Sequence, residues 1–139
     1  VYGFGAKYAG VVRHCFQAGG KPEHLGVAGV LDAYHQVFKS GLTMSSPTLF
    51  TEAIQTAAAR AVSAQETAKQ AGGQCYTILL ILTDGAVSDI NATAQCLREV
   101  SQSPLSIVIV GVGDEQTLNR ANLVIPGFEN VGIELFDKL

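Results

Sequence analysis

The residues best suited to chemistry in this chain are an acid and a hydroxyl, Asp84 and Thr48. Asp84 directly follows the apolar and β-branched run of residues 76–83, which is typical of a central strand buried on both faces. Open α/β sheets bind ligands just outside the carboxyl ends of their strands, where this aspartate is expected. Thr48 lies in a loop of small hydroxyl residues. If that loop reaches the same sheet edge, both side chains can contact one Mg²⁺ or Ca²⁺ ion.

Asp84 also has a purely structural interpretation. It precedes Gly85, and Asp-Gly directly after a strand makes a good turn. Two protein ligands alone would, in addition, bind a hard cation weakly. The residues by themselves therefore leave two roles open, a turn residue and part of a metal site.

Other chemistries find less support in the motifs. Two Gly-x-Gly pairs, at 3–5 and 111–113, lack the third glycine of a dinucleotide fingerprint, because Tyr8 and Gln116 occupy its places. A phosphoacceptor role for Asp84 would need a second acid nearby and a lysine at a later strand end, and the strand before residue 113 offers no lysine. The sequence has no nucleophile elbow, zinc-protease helix or P-loop lysine motif. We therefore do not expect an enzyme.

The histidines and cysteines show no metal-ligand spacing: His14, His24, His35, Cys15, Cys75 and Cys96. Neighbours on a strand, such as the pair at 14 and 15, point to opposite faces and cannot easily hold one ion. We interpret the histidines as structural or surface residues. An odd number of cysteines favours free buried thiols in a reducing compartment over a disulfide framework.

The composition is typical of a compact domain. The chain has 139 residues, of which 47% are hydrophobic and 15% charged, a balance that favours one folded domain over disorder. Its net charge of -3 and scattered basic residues provide no surface for phosphates, so we expect no nucleic acid partner. It contains neither an apolar run long enough to span a membrane as a helix nor a recognisable secretory leader.

Hydrophobic periodicity predicts the elements that position Asp84 and Thr48. We expect a hairpin from strands at 1–7 and 11–17, a helix at 25–40 whose apolar stripe faces a sheet, and a long helix at about 49–70 with Ser46 as N-cap and Pro47 at its start. After the strand before Asp84, Ser88 or Asp89 can cap a helix reaching about residue 102. A parallel strand at 105–112, a short helix near 116–123 and a last strand near 131–136 complete the prediction. The expected fold class is α/β, a three-layer α/β/α domain around a doubly wound, mostly parallel sheet.

Five blocks then become recognisable, in one order along the chain: Gly3-Phe4-Gly5-Ala6-Lys7, Gly29-Val30-Leu31-Asp32-Ala33-Tyr34, Pro47-Thr48-Leu49-Phe50, Leu79-Leu80-Ile81-Leu82-Thr83-Asp84-Gly85, and Pro104-Leu105-Ser106-Ile107-Val108-Ile109-Val110-Gly111-Val112-Gly113. Together they resemble the copine domain, a von Willebrand factor A-like domain. Copines are calcium-dependent phospholipid-binding proteins in which two C2 domains precede this domain. The resemblance extends over positions 3 to 113.

The resemblance implies an intracellular, non-enzymatic interaction module with a metal-ion-dependent adhesion site. In the family pattern a threonine and an aspartate after a central strand help to hold a divalent cation (Mg²⁺, Mn²⁺ or Ca²⁺), and Thr48 and Asp84 match them. The partner would be a protein, whereas the C2 domains, outside this chain, would bind phospholipid membranes. The parent protein is then expected in the cytoplasm, with calcium-dependent membrane association. A related class joins a similar domain to a RING finger in ubiquitin ligases, and the block at 47–50 suits either class.

The family's first strand, with its Asp-x-Ser-x-Ser-like loop, has no counterpart in the chain. We therefore expect residues 1–139 to form an N-terminally truncated domain that begins at the family's second strand. In the von Willebrand factor A arrangement the first strand lies between the second and the fourth, and without it both neighbours would leave backbone groups unpaired. The gap could be closed by direct pairing of the flanking strands, by self-association, or by an upstream segment.

Overall fold

Three α-helices lie in the part of the chain that the structure describes. The computed structural model describes residues 1–8, 10–84, 87–113 and 133–136. The helices are α1 (Gly26–Lys39), α2 (Thr51–Gln70) and α3 (Ile90–Glu99), with one short 3-10 turn at Ala18–Gly20. All three helices were predicted close to these positions. The short helix expected near 116–123 lies outside the described residues.

The strands among the described residues form three small sheets rather than one. Their bounds are β1 (Tyr2–Gly3), β2 (Ala6–Tyr8), β3 (Val11–Arg13), β4 (Phe16–Gln17), β5 (Thr43–Met44), β6 (Thr77–Thr83), β7 (Leu105–Val112) and β8 (Ile133–Phe136). The expected hairpin is confirmed, because β2 pairs antiparallel with β3 and β1 with β4. β5 adds to the free edge of β2.

The parallel sheet has the order β6, β7, β8. Thr77 lies opposite Leu105 and Thr83 opposite Gly111, so β6 and β7 pair over their whole length with their carboxyl ends together. β8 pairs parallel with β7, from Ile109 opposite Ile133 onwards. The predicted parallel crossover through α3 and the predicted last strand are therefore confirmed.

The main core lies between this parallel sheet and two helices. α2 contributes Ile54, α3 contributes Leu97, and the strands contribute Ile81 and Ile109, all of which are buried together with Phe50. Ile81 and Ile109 lie opposite each other on neighbouring strands, so their side chains share one face of the sheet. Because residues of α2 and α3 pack in the same cluster, both helices cover that face. A second, smaller core joins α1 to the N-terminal hairpin through Ala6, Phe16, Ala18, Ala33 and Val37.

Two expectations about β6 are wrong. The strand was predicted to be central and buried on both faces. In the described residues it is an edge strand, because it pairs only with β7, and its outward side chains are exposed, Ile78 by 69% and Leu80 by 55%. No described helix covers that face, and a continuous apolar run does not reveal whether one does. The mixed α/β class is correct, with helices on one face of the parallel sheet in the part of the chain that the structure describes.

The apolar stripe of α1 is also placed differently from the prediction. Leu31 and Tyr34 are 52% and 56% exposed, whereas Ala33 on the opposite side of the helix is fully buried. The reason is close packing against the 3-10 turn: a Cβ at Gly19 would lie 3.0 Å from the Cα of Ala33. Small residues allow this approach, and the large apolar residues are left facing outward.

The expected gap beside β6 is not closed by pairing of the flanking strands. β2 pairs with β3 and β5, in a sheet separate from that of β6 and β7. Direct pairing of β2 with β6, one of the three options, is therefore wrong for the described residues. Self-association and an upstream segment remain as predictions.

Candidate functional site

The candidate site lies at the carboxyl end of β6. Thr83, its last residue, is buried, and Asp84, the next residue, is in an exposed bend. Asp84 is thus available to a ligand at the sheet edge where the sequence predicted it.

The loop that carries Thr48 is hydrogen-bonded to the segment following Asp84. The backbone N–H of Thr48 donates to the hydroxyl of Ser88 at 3.2 Å, and the backbone N–H of Ser88 donates to the carbonyl of Thr48 at 2.9 Å. Ser88 lies only four residues after Asp84. These reciprocal bonds hold the two loops side by side at one end of the parallel sheet.

The N-terminal hairpin packs beside the loop that carries Thr48. Gly5 has φ of +63°, and its carbonyl accepts a hydrogen bond from the N–H of Ser45 at 2.9 Å. A Cβ built on Gly5 would lie 4.0 Å from the hydroxyl of Thr48. The preceding residue, Phe4, packs edge-to-face on Phe50, with ring centroids 5.3 Å apart. The hairpin and α2 therefore position Thr48 from two sides.

Asp89 joins the beginnings of two helices and was not singled out for this role by the sequence. Its Oδ1 accepts hydrogen bonds from the N–H of Phe50 at 3.3 Å and from the hydroxyl of Thr93 at 3.1 Å, while its Oδ2 accepts from the hydroxyl of Thr51. The prediction that Ser46 caps α2 is wrong, because the helix begins at Thr51 and the cap comes from Asp89. No local pattern could reveal a cap supplied from 39 residues further along the chain.

The donor set fits part of a site for a hard cation. A threonine hydroxyl and a carboxylate are oxygen ligands of the kind that Mg²⁺, Mn²⁺ and Ca²⁺ prefer. Within the described residues no group of three or more His, Cys, Asp or Glu side chains could hold a metal by itself. Metal binding by Thr48 and Asp84 therefore stays a prediction, and two protein ligands would leave most coordination positions to water or a partner.

The histidines and cysteines considered in the sequence lie outside the candidate site, and His24 contacts a backbone carbonyl. Nε2 of His24 lies 3.1 Å from the carbonyl oxygen of Ala18, within the N-terminal part of the chain.

All three cysteines are free, as predicted, but only Cys96 is buried. Burial raises the pKa of the Cys96 thiol, with smaller contributions from Glu99 and Asp89. Among the described helices, none has the length and apolar character to cross a membrane.

A mixed α/β fold, with helices packed on a parallel sheet whose strands end together, defines the general class of the domain. The copine family model matches residues 1–123, and the chain belongs to the copine family. The resemblance seen in the sequence is thereby confirmed.

Three relatives illustrate the extent of the similarity. Copine-B of Dictyostelium discoideum is 45% identical over 123 residues, which is 88% of this chain and 22% of the relative. Copine-C of the same organism is 44% identical over 116 residues, 81% of this chain and 21% of the relative. Nicotinic receptor-associated protein 1 of Caenorhabditis briggsae is 38% identical over 96 residues, 69% of this chain and 14% of the relative. The chain therefore spans about a fifth or less of the length of these relatives.

Proposed function

We propose that this chain is the protein-interaction module of a copine-type protein and recognises its partner through a divalent cation at Thr48 and Asp84. The observation that carries the proposal is the pair of hydrogen bonds between Thr48 and Ser88, which keeps the threonine loop next to the segment that follows Asp84. Ordering two short loops costs conformational entropy, and the two hydrogen bonds offset part of that cost. This ordering supports the proposal that the Thr48 hydroxyl and the Asp84 carboxylate bind the same ion.

In this proposal each residue has a distinct task. Asp84 supplies the negative charge that holds the ion, and Thr48 contributes a neutral oxygen, either directly or through a water molecule. A carboxylate of the partner occupies an open coordination position, so that recognition depends on both the ion and an acidic partner residue. The cation acts as a bridge and as a local positive charge, with no bond made or broken in the partner.

The parent protein has further roles that we do not assign to these residues. Calcium-dependent phospholipid binding belongs to the C2 domains of such a protein, which would bring it from the cytoplasm to membranes. We also propose that the complete domain has the three-layer, doubly wound arrangement of von Willebrand factor A domains. The name of the Caenorhabditis relative describes association of that protein with a nicotinic receptor, which supports a protein as the partner class.

The test is metal-dependent capture of partner proteins. The chain is immobilised, incubated with cell extract in Mg²⁺ or Mn²⁺, and then washed with a chelator, and the released proteins are identified by mass spectrometry. Asp84→Ala is the test variant. Glu66→Ala is its matched control, because Glu66 is an exposed acid near the far end of α2.

We expect a set of proteins that the chelator releases, that the Glu66→Ala variant retains and that the Asp84→Ala variant fails to capture. Capture of the same proteins in the presence of chelator, or by the Asp84→Ala variant, would contradict ion-bridged recognition.

A further inference from the structure

We propose that Asp89 is a positioning residue for the candidate site: it ties the beginnings of α2 and α3 together and thereby holds Thr48 beside Ser88, in the segment that follows Asp84, without itself binding the ion. As far as the ion is concerned, this inference rests on the proposed function. The tie between the two helices is independent of any ion.

The hydrogen bonds of Asp89 explain why its carboxylate binds other residues of the chain rather than an ion. Both carboxylate oxygens accept hydrogen bonds, Oδ1 from the N–H of Phe50 and the hydroxyl of Thr93, and Oδ2 from the hydroxyl of Thr51. Asp89 is also half-buried, in contrast to Asp84. A carboxylate that already accepts three hydrogen bonds in such a place has little capacity left for a cation.

The helix beginnings give this carboxylate its position. Phe50 is the residue before the first turn of α2, and its N–H has no acceptor within its own helix. Asp89 holds the same place before α3, where its carbonyl accepts the N–H of Thr93 at 2.7 Å. The carboxylate therefore lies at the beginnings of both helices.

The hydrogen bonds of Asp89 lie close to those of Thr48 in both segments. Leu49 stands between Thr48 and Phe50, and Ser88 directly precedes Asp89. The Thr48 and Ser88 hydrogen bonds and the Asp89 hydrogen bonds therefore connect the same two short segments, 48–51 and 88–93. Loss of the carboxylate would release the end of α2 and allow Thr48 to move away from the segment after Asp84.

The ion-dependent test compares Mn²⁺ affinity, measured by water proton relaxation, in the wild-type chain, Asp89→Ala and Asp89→Asn. Substitution of residues that orient metal ligands typically weakens binding about tenfold or more, and we expect that loss for Asp89→Ala. Asp89→Asn keeps an oxygen acceptor in place and should stay within about threefold of wild type, since position rather than charge is what matters. Val37→Ala, in the second core, controls for general destabilisation and should bind Mn²⁺ like wild type.

A second readout needs no metal. Amide hydrogen exchange is measured at Thr48, Phe50 and Ser88 in metal-free protein, and we expect faster exchange in Asp89→Ala but not in Asp89→Asn or Val37→Ala. If wild type does not bind Mn²⁺, the proposed function fails while this measurement still decides whether Asp89 positions the loop.

Two results would overturn the inference. One is an Asp89→Ala variant whose Mn²⁺ affinity and loop exchange both equal those of wild type. The other is an Asp89→Asn variant that binds Mn²⁺ as weakly as Asp89→Ala while its amide exchange at Thr48, Phe50 and Ser88 equals that of wild type, because loss of charge rather than loss of position would then account for the effect.

Discussion

At the scale of single residues, two aspartates five positions apart have opposite surroundings. The carboxylate of Asp84 is exposed and makes no hydrogen bond among the described residues, whereas the carboxylate of Asp89 accepts three. The same functional group is thus free for a ligand in one case and committed to structure in the other. Burial and hydrogen-bond donors separate the two roles, which residue type alone cannot do.

The corrected helix cap gives a prediction about stability. Ser46 is exposed and lies five residues before α2, so Ser46→Ala should change the free energy of unfolding by no more than about 0.5 kcal/mol. Asp89→Ala leaves the N–H of Phe50 and two hydroxyls without their acceptor and should lower it by about 1–3 kcal/mol. Urea unfolding followed by circular dichroism measures both. Equal losses for the two variants would restore Ser46 as the cap.

The sequence could single out only part of the candidate site. Thr48 and Asp84 were singled out because strand ends and hydroxyl loops have local patterns, and their joint metal binding stays a prediction; the structure adds hydrogen bonds between Thr48 and Ser88. Asp89 was expected only as a cap for its own helix. Its bond to α2 is a tertiary contact, and a valid local alternative, Ser46 followed by Pro47, concealed it.

At the scale of elements, hydrophobic periodicity predicted the positions of the helices and strands well. It did not predict which of their apolar faces are covered by other elements. The prediction for β7 matches its observed bounds, and α1 and β6 begin and end within about two residues of the prediction. The stripe on α1 and the run in β6 were both expected to be buried. Apolar periodicity shows that a face can be buried, whereas the neighbour that buries it is a tertiary property.

The uncovered faces predict self-association. β6 exposes Ile78, Leu80 and Leu82, and α1 exposes Tyr34 and Phe38, each by half or more of its surface. Folded monomers rarely expose apolar patches larger than about 300–600 Å². We expect a second copy of the chain to cover these faces, so that the average mass measured by size-exclusion chromatography with light scattering rises with concentration.

Two matched variants test this association. Ile78→Thr keeps a β-branched residue in the exposed face of the strand and should shift the mass towards the monomer. Val62→Thr makes a similar change on α2, where Val62 is 40% exposed, and should leave the association unchanged. A mass that stays monomeric at every concentration, or an equal response of the two variants, would contradict this prediction.

At the scale of the whole molecule, two cores meet at the candidate site. The core of the parallel sheet includes Phe50, and the hairpin that belongs to the second core reaches it through Phe4. The sequence predicted one sheet, but the described strands form three. Short strands have few side chains, and these do not determine which strand pairs with which. The pairing therefore depends on long-range contacts, which a local sequence pattern does not contain.

We propose above that Thr48 and Asp84 hold a divalent cation together. The measurement that tests it most directly is titration of Mn²⁺ into the chain, followed by paramagnetic broadening of its amide NMR signals. We expect saturable broadening at Thr48, Asp84 and Ser88, with an affinity on the order of millimolar because the protein supplies few ligands.

The matched variants decide the outcome. The broadening should disappear in Asp84→Ala and persist in Glu66→Ala, which removes an exposed acid elsewhere. Broadening that is spread over many exposed acids, or that is unchanged in Asp84→Ala, would contradict a cation site at the end of β6.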